Sequence, residues 1–552
     1  MEIFLTILIL TLVVSLSGVI TQILPFQIPL PLMQIVLGAL LAWPKFGLHV
    51  DFNPELFLVL FIPPLLFSDG WKTPASEFIR NGGEIVSLAL VLVIITVVGV
   101  GYFIYWMVPG ISLVAALALA AVLSPTDAVA LSGIIKKGRI PKKILNILQG
   151  EALMNDASGL VLLKFAISVA MGTMVFTVSG ASIEFIKVAV GGLLVGITVT
   201  WVYSQSLRLI IRWSGYDSAT QTVLLLLLPF AAYLMAEHVG VSGILAAVAS
   251  GMTMGQYGIT RSNTTPLALR LRCNNVWSML EFLFNGIVFI MLGLQLPGIL
   301  ATSINEAQLD PTIKTWMLFA DIIFLYAALM LLRFSWLWLM KRISLRFMKK
   351  RPMVFGEYST REILIASFAG VRGAITLAGV LSIPLLLSDG TAFPSRYQLV
   401  FIATGVILFS LICCVIILPI LLHGIVVSDN VLFYKEEQRA RAQAAEAAIE
   451  SICHMELQLA NSQEDNIDRK IINEVSIRVI SHLRRRINGS TDAESNILIE
   501  NLERRMWLNA LHTERSEYYN LCAQQKISNT TLMKLLRDLD LLEALLVEKQ
   551  RM

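Results

Sequence analysis

Four ionisable side chains stand inside stretches that are otherwise apolar enough to cross a lipid bilayer: Asp127, Glu151, Asp156 and Arg372. A charge near the bilayer centre costs about 2.5–3.5 kcal/mol on insertion scales, so each needs a partner or a task. One task for buried carboxylates is to hold a small cation or a proton; the structural alternative is to join helices by hydrogen bonds. Spacing separates the two roles within Gly150-Glu151-Ala152-Leu153-Met154-Asn155-Asp156. At about 100° per residue, Glu151 and Asn155 share one helix face while Asp156 points well away. Asp156 shares its stripe with Ala152 and Gly159, small residues that let another backbone come close, as an ion site requires.

The neighbouring segments supply reasons for broken helices. Ser124-Pro125-Thr126-Asp127 lies in the middle of an apolar stretch, and proline there removes a backbone donor and clashes with the preceding turn. Gly370-Val371-Arg372-Gly373 interrupts a second stretch, with a cation between helix-weakening glycines. Freed carbonyls attract cations and half-helix N-termini attract negative charge, so Arg372 and Asp127 are suited to balance those ends. A membrane-helix kink would explain either interruption alone.

Around these residues the chain reads as membrane protein. It has 552 residues, 56% hydrophobic and only 15% charged, with a mean hydropathy of +0.72. Windows of about 20 apolar residues match a hydrocarbon layer of roughly 30 Å. Thirteen segments qualify or nearly do, near 3–20, 31–43, 54–69, 84–108, 111–134, 144–170, 181–205, 220–236, 241–256, 275–296, 314–340, 362–387 and 397–424. With that count and a cytosolic tail, 19 Lys and Arg fall in inside loops and 3 in outside loops, which puts the N terminus outside. Ile3 to Ile20 lacks a basic leader and a small-residue cleavage pattern, so it reads as a retained first helix. The interrupted segments are the fifth and twelfth, an odd offset. Segments 1–6 and 8–13 are then expected to be inverted repeats joined by the seventh.

The expected fold is an all-α polytopic membrane protein of about 13 transmembrane helices in two inverted repeats with two crossing broken helices, over 1–427. A helical cytosolic domain follows over 428–552. From Ser428 onward there are 20 acids and 17 basic residues, so the net basic charge belongs to the membrane part and marks cytosolic loops, not nucleic-acid binding. A loop is expected near Asn488-Gly489-Ser490, after the basic run Arg484-Arg485-Arg486. Past Ser528, a suitable N-cap, Leu532, Leu535, Leu536, Leu539, Leu542 and Leu546 form a stripe that must bury against something, in a helical bundle or a dimer contact.

These segments resemble the sodium/proton exchangers of cation:proton antiporter family 1, the bacterial NhaP-type and animal NHE-type proteins. The resemblance spans about residues 1–427 and rests on Glu151 to Asp156 against the family's Glu-Ser-x-x-Asn-Asp, on Thr126-Asp127, and on Gly370 to Gly373 with Arg372. It implies a homodimer in the cell membrane, the inner membrane of a bacterium, whose protomers move an ion-binding core against an interface domain. It implies that Asp156 carries the ion, Na+ or H+, that Asn155 supports the crossing, that Thr126 and Asp127 contribute to the ion shell, and that Glu151 forms a structural ion pair with Arg372. Two departures bear on ion preference: Ala152 replaces the family's serine, and Ser68 stands where an acid often follows Pro63-Pro64, with Asp69 one residue on. Ser68 and Asp69 are therefore accessory candidates.

If Glu151 and Arg372 neutralise one another, Asp156 is left as the one uncompensated group, and proton and cation exclude each other there. One-for-one, electroneutral Na+/H+ antiport follows, contributing to pH homeostasis, with K+/H+ antiport as the nearest alternative and a membrane scaffold or sensor as the rival from another class. No cofactor is expected beyond the transported Na+ and H+. Glu281, Asn285, Asp321 and Arg333 are read as interhelical bonding groups, and Lys164 and Lys187 as snorkelling to headgroups. The six histidines and five cysteines have no metal-ligand spacing, and no nucleophile elbow, phosphate loop or dinucleotide fingerprint is present, so no enzyme is expected.

Overall fold

Helix boundaries follow from where backbone donors and acceptors can be satisfied in an apolar environment. The computed structural model describes residues 2–24, 28–42, 54–73, 75–108, 110–127, 142–172, 178–214, 218–260, 267–309, 315–347, 359–384, 393, 395–423, 429–461, 473–481, 493–524, 526–527, 531–532, 535–536, 539–540 and 542–543. The second half of the fifth expected segment, Arg484 to Ser490 and the cap Ser528 lie outside the described residues. Packing divides the chain into two units, Met1–Val427 and Ser428–Met552.

The regular elements of the first unit's described residues are all helices, in the order α1 (Glu2–Ile23), α2 (Leu30–Leu41), α3 (Pro54–Leu60), α4 (Ile62–Lys72), α5 (Ala75–Arg80), α6 (Gly82–Val86), a π-helical turn (Ser87–Val91), α7 (Leu92–Met107), α8 (Leu113–Leu123), α9 (Lys142–Ala170), α10 (Val178–Ser214), α11 (Ser218–Val239), α12 (Gly243–Thr260), α13 (Leu267–Leu309), α14 (Thr315–Phe347), α15 (Thr360–Phe368), α16 (Ala374–Leu381) and α17 (Arg396–Leu422). Among the described residues eight helices are long and apolar enough to cross a membrane, and three further apolar helices are shorter. Several outrun their hydropathy windows. α13 has 43 residues, about 65 Å at 1.5 Å per residue, against the roughly 30 Å that lipid must cover. Hydropathy marks the stretch facing hydrocarbon, while polar flanks continue the same helix into water.

The third expected segment is divided at Phe61, because Pro63 and Pro64 open the first turn of α4 where their missing N–H groups cost least. The fifth stops at Leu123, two residues before Pro125. The twelfth is divided between α15 and α16. α15 starts at a capping box in which Glu362 N donates to Ser359 Oγ (3.3 Å) and Ser359 N to Glu362 Oε2 (2.7 Å).

The helices pack as two groups. α4 packs with α10–α12 and α2 with α13, six helices that make up the scaffold, and α7–α9 with α14–α17 form the group containing both interruptions, against which α13 also packs. Water drives no burial between helices in lipid, so close backbone approach carries the scaffold. Gly38 of α2 lies on the Ile290 carbonyl of α13, and Gly293 of α13 lies on the Ile35 carbonyl of α2. Between α4 and α12, Gly251 and Gly255 rest on the Phe67 and Trp71 carbonyls in the same way.

In the second unit, α18 (Asp429–Asn461) and α19 (Ala493–Ala523) are the longest helices described. Of the leucine stripe, Leu532 and Leu539 are buried and Leu542 is exposed. Arg515 of α19 donates to Asp540 (2.5 Å) and Glu543 (2.6 Å), so the last segment lies against α19.

Close backbone contact predicts a sharp contrast on one helix. Gly293→Ala drives a methyl into the Ile35 carbonyl and lowers the detergent melting stability by about 1–3 kcal/mol, as overpacking does. Gly298→Ala, with nothing within 4 Å, leaves the melting point unchanged or slightly raised.

Candidate ion-binding site

The two interruptions cross. Asp127 N donates to Val371 O at 2.6 Å, so the extended residues of one pair with those of the other. Among the described residues three broken ends, those of α8, α15 and α16, are met by a side chain of the sign their dipole attracts. Arg372 Nε donates to the carbonyl of Leu123, the last residue of α8, at 3.1 Å, and Arg372 Nη1 to Gly370 O at 2.7 Å. Asp127 lies with its carboxylate directly over Gly373, the N-cap of α16, where any Cβ would overlap it. Gly373 is therefore required by contact rather than by backbone angle. Ser410 of α17 holds the segment from behind, accepting from Arg372 N at 3.2 Å.

α9 runs beside the crossing and presents two faces to it. On one, Asn155 Nδ2 donates to Thr126 Oγ1 at 2.9 Å, and that hydroxyl lies 3.5 Å from Glu151 Oε1. The helical spacing that places Glu151 and Asn155 together thus aims both at Thr126. Asn155 Oδ1 is buried and accepts no hydrogen bond. On the other face, Gly159 meets Pro125 and the Ala121 carbonyl, the close backbone approach expected of the small stripe. Asp156 is 8% exposed, and the charged groups that act on it are Asp127 and Asp69, both carboxylates. Behind α9, Ser158 Oγ donates to Ala89 O (2.7 Å) in the π-helical turn and fixes the rotation of the helix.

Glu151 does not pair with Arg372. Both of its oxygens are taken by Arg333 of α14, through Nη1 and, at 2.7 Å, Nη2, in a pair whose side chains are 1% and 4% exposed. The reason is reach: Arg372 is turned onto the Leu123 and Gly370 carbonyls and stays an electrostatic neighbour of Glu151 without bonding it. Arg333 also lies on Gly370 and points Nε at the Ala366 carbonyl near the end of α15, 3.4 Å away. The C-termini of α8 and α15, where the two helices break off, thus each carry an arginine.

The accessory candidates diverge. Asp69 counts Asp127 among its charged neighbours, together with Lys72 and Glu281. Ser68 is buried and directs its hydroxyl to Glu281 at 3.5 Å, and Glu281 pairs with Lys72. The two lysines expected to snorkel have partners: Lys164 bonds both oxygens of Glu237 at 3.1 and 3.2 Å, and Lys187 pairs with Glu184 at 3.6 Å. Among the described residues no three His, Cys, Asp or Glu are grouped to hold a metal ion. A resident metal differs from a transported cation, which must leave and is served by fewer ligands.

Breaking a buried pair strands a charge, whereas removing both partners does not. Arg333→Gln lowers the melting stability in detergent by about 3–5 kcal/mol, and Glu151→Gln added to it restores most of the loss. Thermal melts of the single and double variants check this, and rescue of Arg372→Gln by Glu151→Gln instead would return the pair to Arg372.

Comparison with known proteins points the same way. The family described as "Sodium/hydrogen exchanger, transmembrane" matches residues 8–424. The chain is 67% identical over 551 residues, the whole of both chains, to an uncharacterized Na(+)/H(+) exchanger, YjcE, of Escherichia coli (strain K12). It is 38% identical over 528 residues to a sodium, potassium, lithium and rubidium/H(+) antiporter of Bacillus pumilus, covering 96% of this chain and 75% of that one. Its fold is similar to that of the sodium proton antiporter MjNhaP1 of Methanocaldococcus jannaschii, with a TM-score of 0.53 at 18% identity, covering 77% of this chain and 99% of the other. Crossed broken helices and a family match over three quarters of the length lead to one conclusion: the chain belongs to the sodium/hydrogen exchanger family, multi-pass membrane transporters that are not enzymes.

Proposed function

We propose that the chain exchanges Na+ for H+ one-for-one by alternating access, with Asp156 as the carrier carboxylate. The observation that supports this most directly is the electrostatic setting of Asp156: a buried acid whose charged neighbours are other acids, beside two crossing helix breaks. A bare carboxylate is costly at that depth, so it takes a proton or a cation, and either occupant displaces the other. Charges around it balance in pairs, Glu151 with Arg333 and Asp127 with Arg372, the latter two across opposite helix ends. Asp156 and, nearer Lys72 and Glu281, Asp69 are left outside these pairs, and in this reading Asp156 alone exchanges its occupant, which makes the exchange electroneutral. Thr126 Oγ1, Asn155 Oδ1 and the Asp127 carboxylate are the further oxygens close to the crossing, and they complete the ion shell in this reading. Asp69 draws cations toward them.

In the same reading the protein works as a homodimer in the cell membrane, with its N terminus outside and the 428–552 unit in the cytosol, as the loop charges favour. About thirteen spans in two inverted repeats underlie the symmetry of the two interruptions. K+ as a second cargo is favoured by the Bacillus pumilus relative, whose name includes potassium, and by Ala152, which offers no hydroxyl to a small ion.

The test is a pH-gradient assay in proteoliposomes with membrane potential clamped and Na+, Li+ and K+ added in turn. Each accepted cation dissipates the gradient through the native protein, and Asp156→Asn reduces the response to the protein-free background while its melting profile is kept. Full exchange by a folded Asp156→Asn variant, or alkali-ion flux with no opposed proton flux, overturns the proposal.

A further inference from the structure

One membrane-facing crevice takes no part in the site above. It holds about 260 Å³ and lies between α13, α14 and α17, at the junction of the scaffold with the crossing group. Leu296 and Ile299 of α13, Ile322 of α14 and Leu408 of α17 line it. Its rim is formed by Leu300, Phe319, Ile323 and Ile412, which are 37%, 47%, 51% and 45% exposed. All belong to helices apolar enough to span a bilayer, so the mouth opens toward lipid. α14 and α17 already touch at Gly405, where a Cβ would overlap Ile322, so the helices cannot draw together to close the gap.

What fills it follows from its lining and depth. The space far exceeds the ~10–15 Å³ that one water needs, but a buried water also needs two to four polar partners. The lining supplies a single polar side chain, Thr404, whose hydroxyl is buried and without a hydrogen-bond partner. No charged side chain lines it, which excludes an ion. Thr404 is eight residues into α17, about 12 Å along a helix, deep within a hydrocarbon layer of roughly 30 Å. Headgroups do not reach that depth, and an empty apolar gap forfeits dispersion contacts on every wall.

We propose that this crevice binds one acyl chain of a membrane phospholipid, inserted between α13 and the α14–α17 pair. The assignment rests on the crevice and the bilayer alone and stands apart from the identity of the transported ion. Full-length protein in vesicles of phosphatidylethanolamine and phosphatidylglycerol, doped with a phosphatidylcholine carrying a diazirine on one acyl chain, is irradiated and mapped by mass spectrometry. Adducts concentrate on residues 296–300, 319–323 and 404–412, several-fold above Leu194 and Trp201 of α10, which are 59% and 52% exposed. Ile323→Trp, which places an indole at the mouth, lowers crevice labelling several-fold and leaves α10 labelling unchanged. Labelling that merely follows exposure, or crevice residues left unlabelled while α10 is labelled, overturns the proposal; the native protein alone decides if the variant fails to fold.

Discussion

The whole arrangement depends on two helix breaks meeting in the middle of an apolar protein. A helix interrupted in lipid exposes donors and acceptors that water cannot reach, and each unsatisfied group costs several kcal/mol. Here the interruptions satisfy one another: Asp127 N bonds Val371 O, and Arg372 bonds the Leu123 carbonyl. Each break supplies partners that the other uses. Their mutual dependence fixes Thr126 beside α9, and Asp156 takes its position from that helix.

Much of this was legible in the residues. Pro125 and the Gly370–Gly373 pair announced the breaks because proline and glycine act through the backbone, whatever surrounds them. The 100° turn per residue separated Asn155 from Asp156 and predicted the close approach at Gly159. The partner of Glu151 was not legible. Arg372 was the nearer candidate by motif, but long side chains choose partners by three-dimensional reach, and Arg333 is brought to Glu151 only by the packing of α14. For the same reason the Lys164–Glu237 and Lys72–Glu281 pairs left no trace in local spacing.

Glycine contacts and polar side chains are weighted differently in the two helix groups. Carbonyl-on-glycine contacts lock α2 to α13 and α4 to α12 over short distances with little freedom to slide. Around the crossing, long polar side chains hold the backbone at several points: Arg372, Arg333, Asn155 and Ser410. Such a division suits the exchange proposed above, in which Asp156, the proposed carrier, belongs to the group tied by polar side chains.

The Glu151–Arg333 bond also has a consequence for biogenesis. Its partners are 182 residues apart in the chain. At about 5–20 residues per second, the ribosome delivers the arginine roughly 10–40 s after the glutamate. Throughout that interval the helix bearing Glu151 has no guanidinium to receive it, and a lone carboxylate in hydrocarbon is opposed by a few kcal/mol. The pair can therefore close only after α14 has been made, so this contact belongs to the late packing of the helices rather than to the first appearance of the one bearing Glu151.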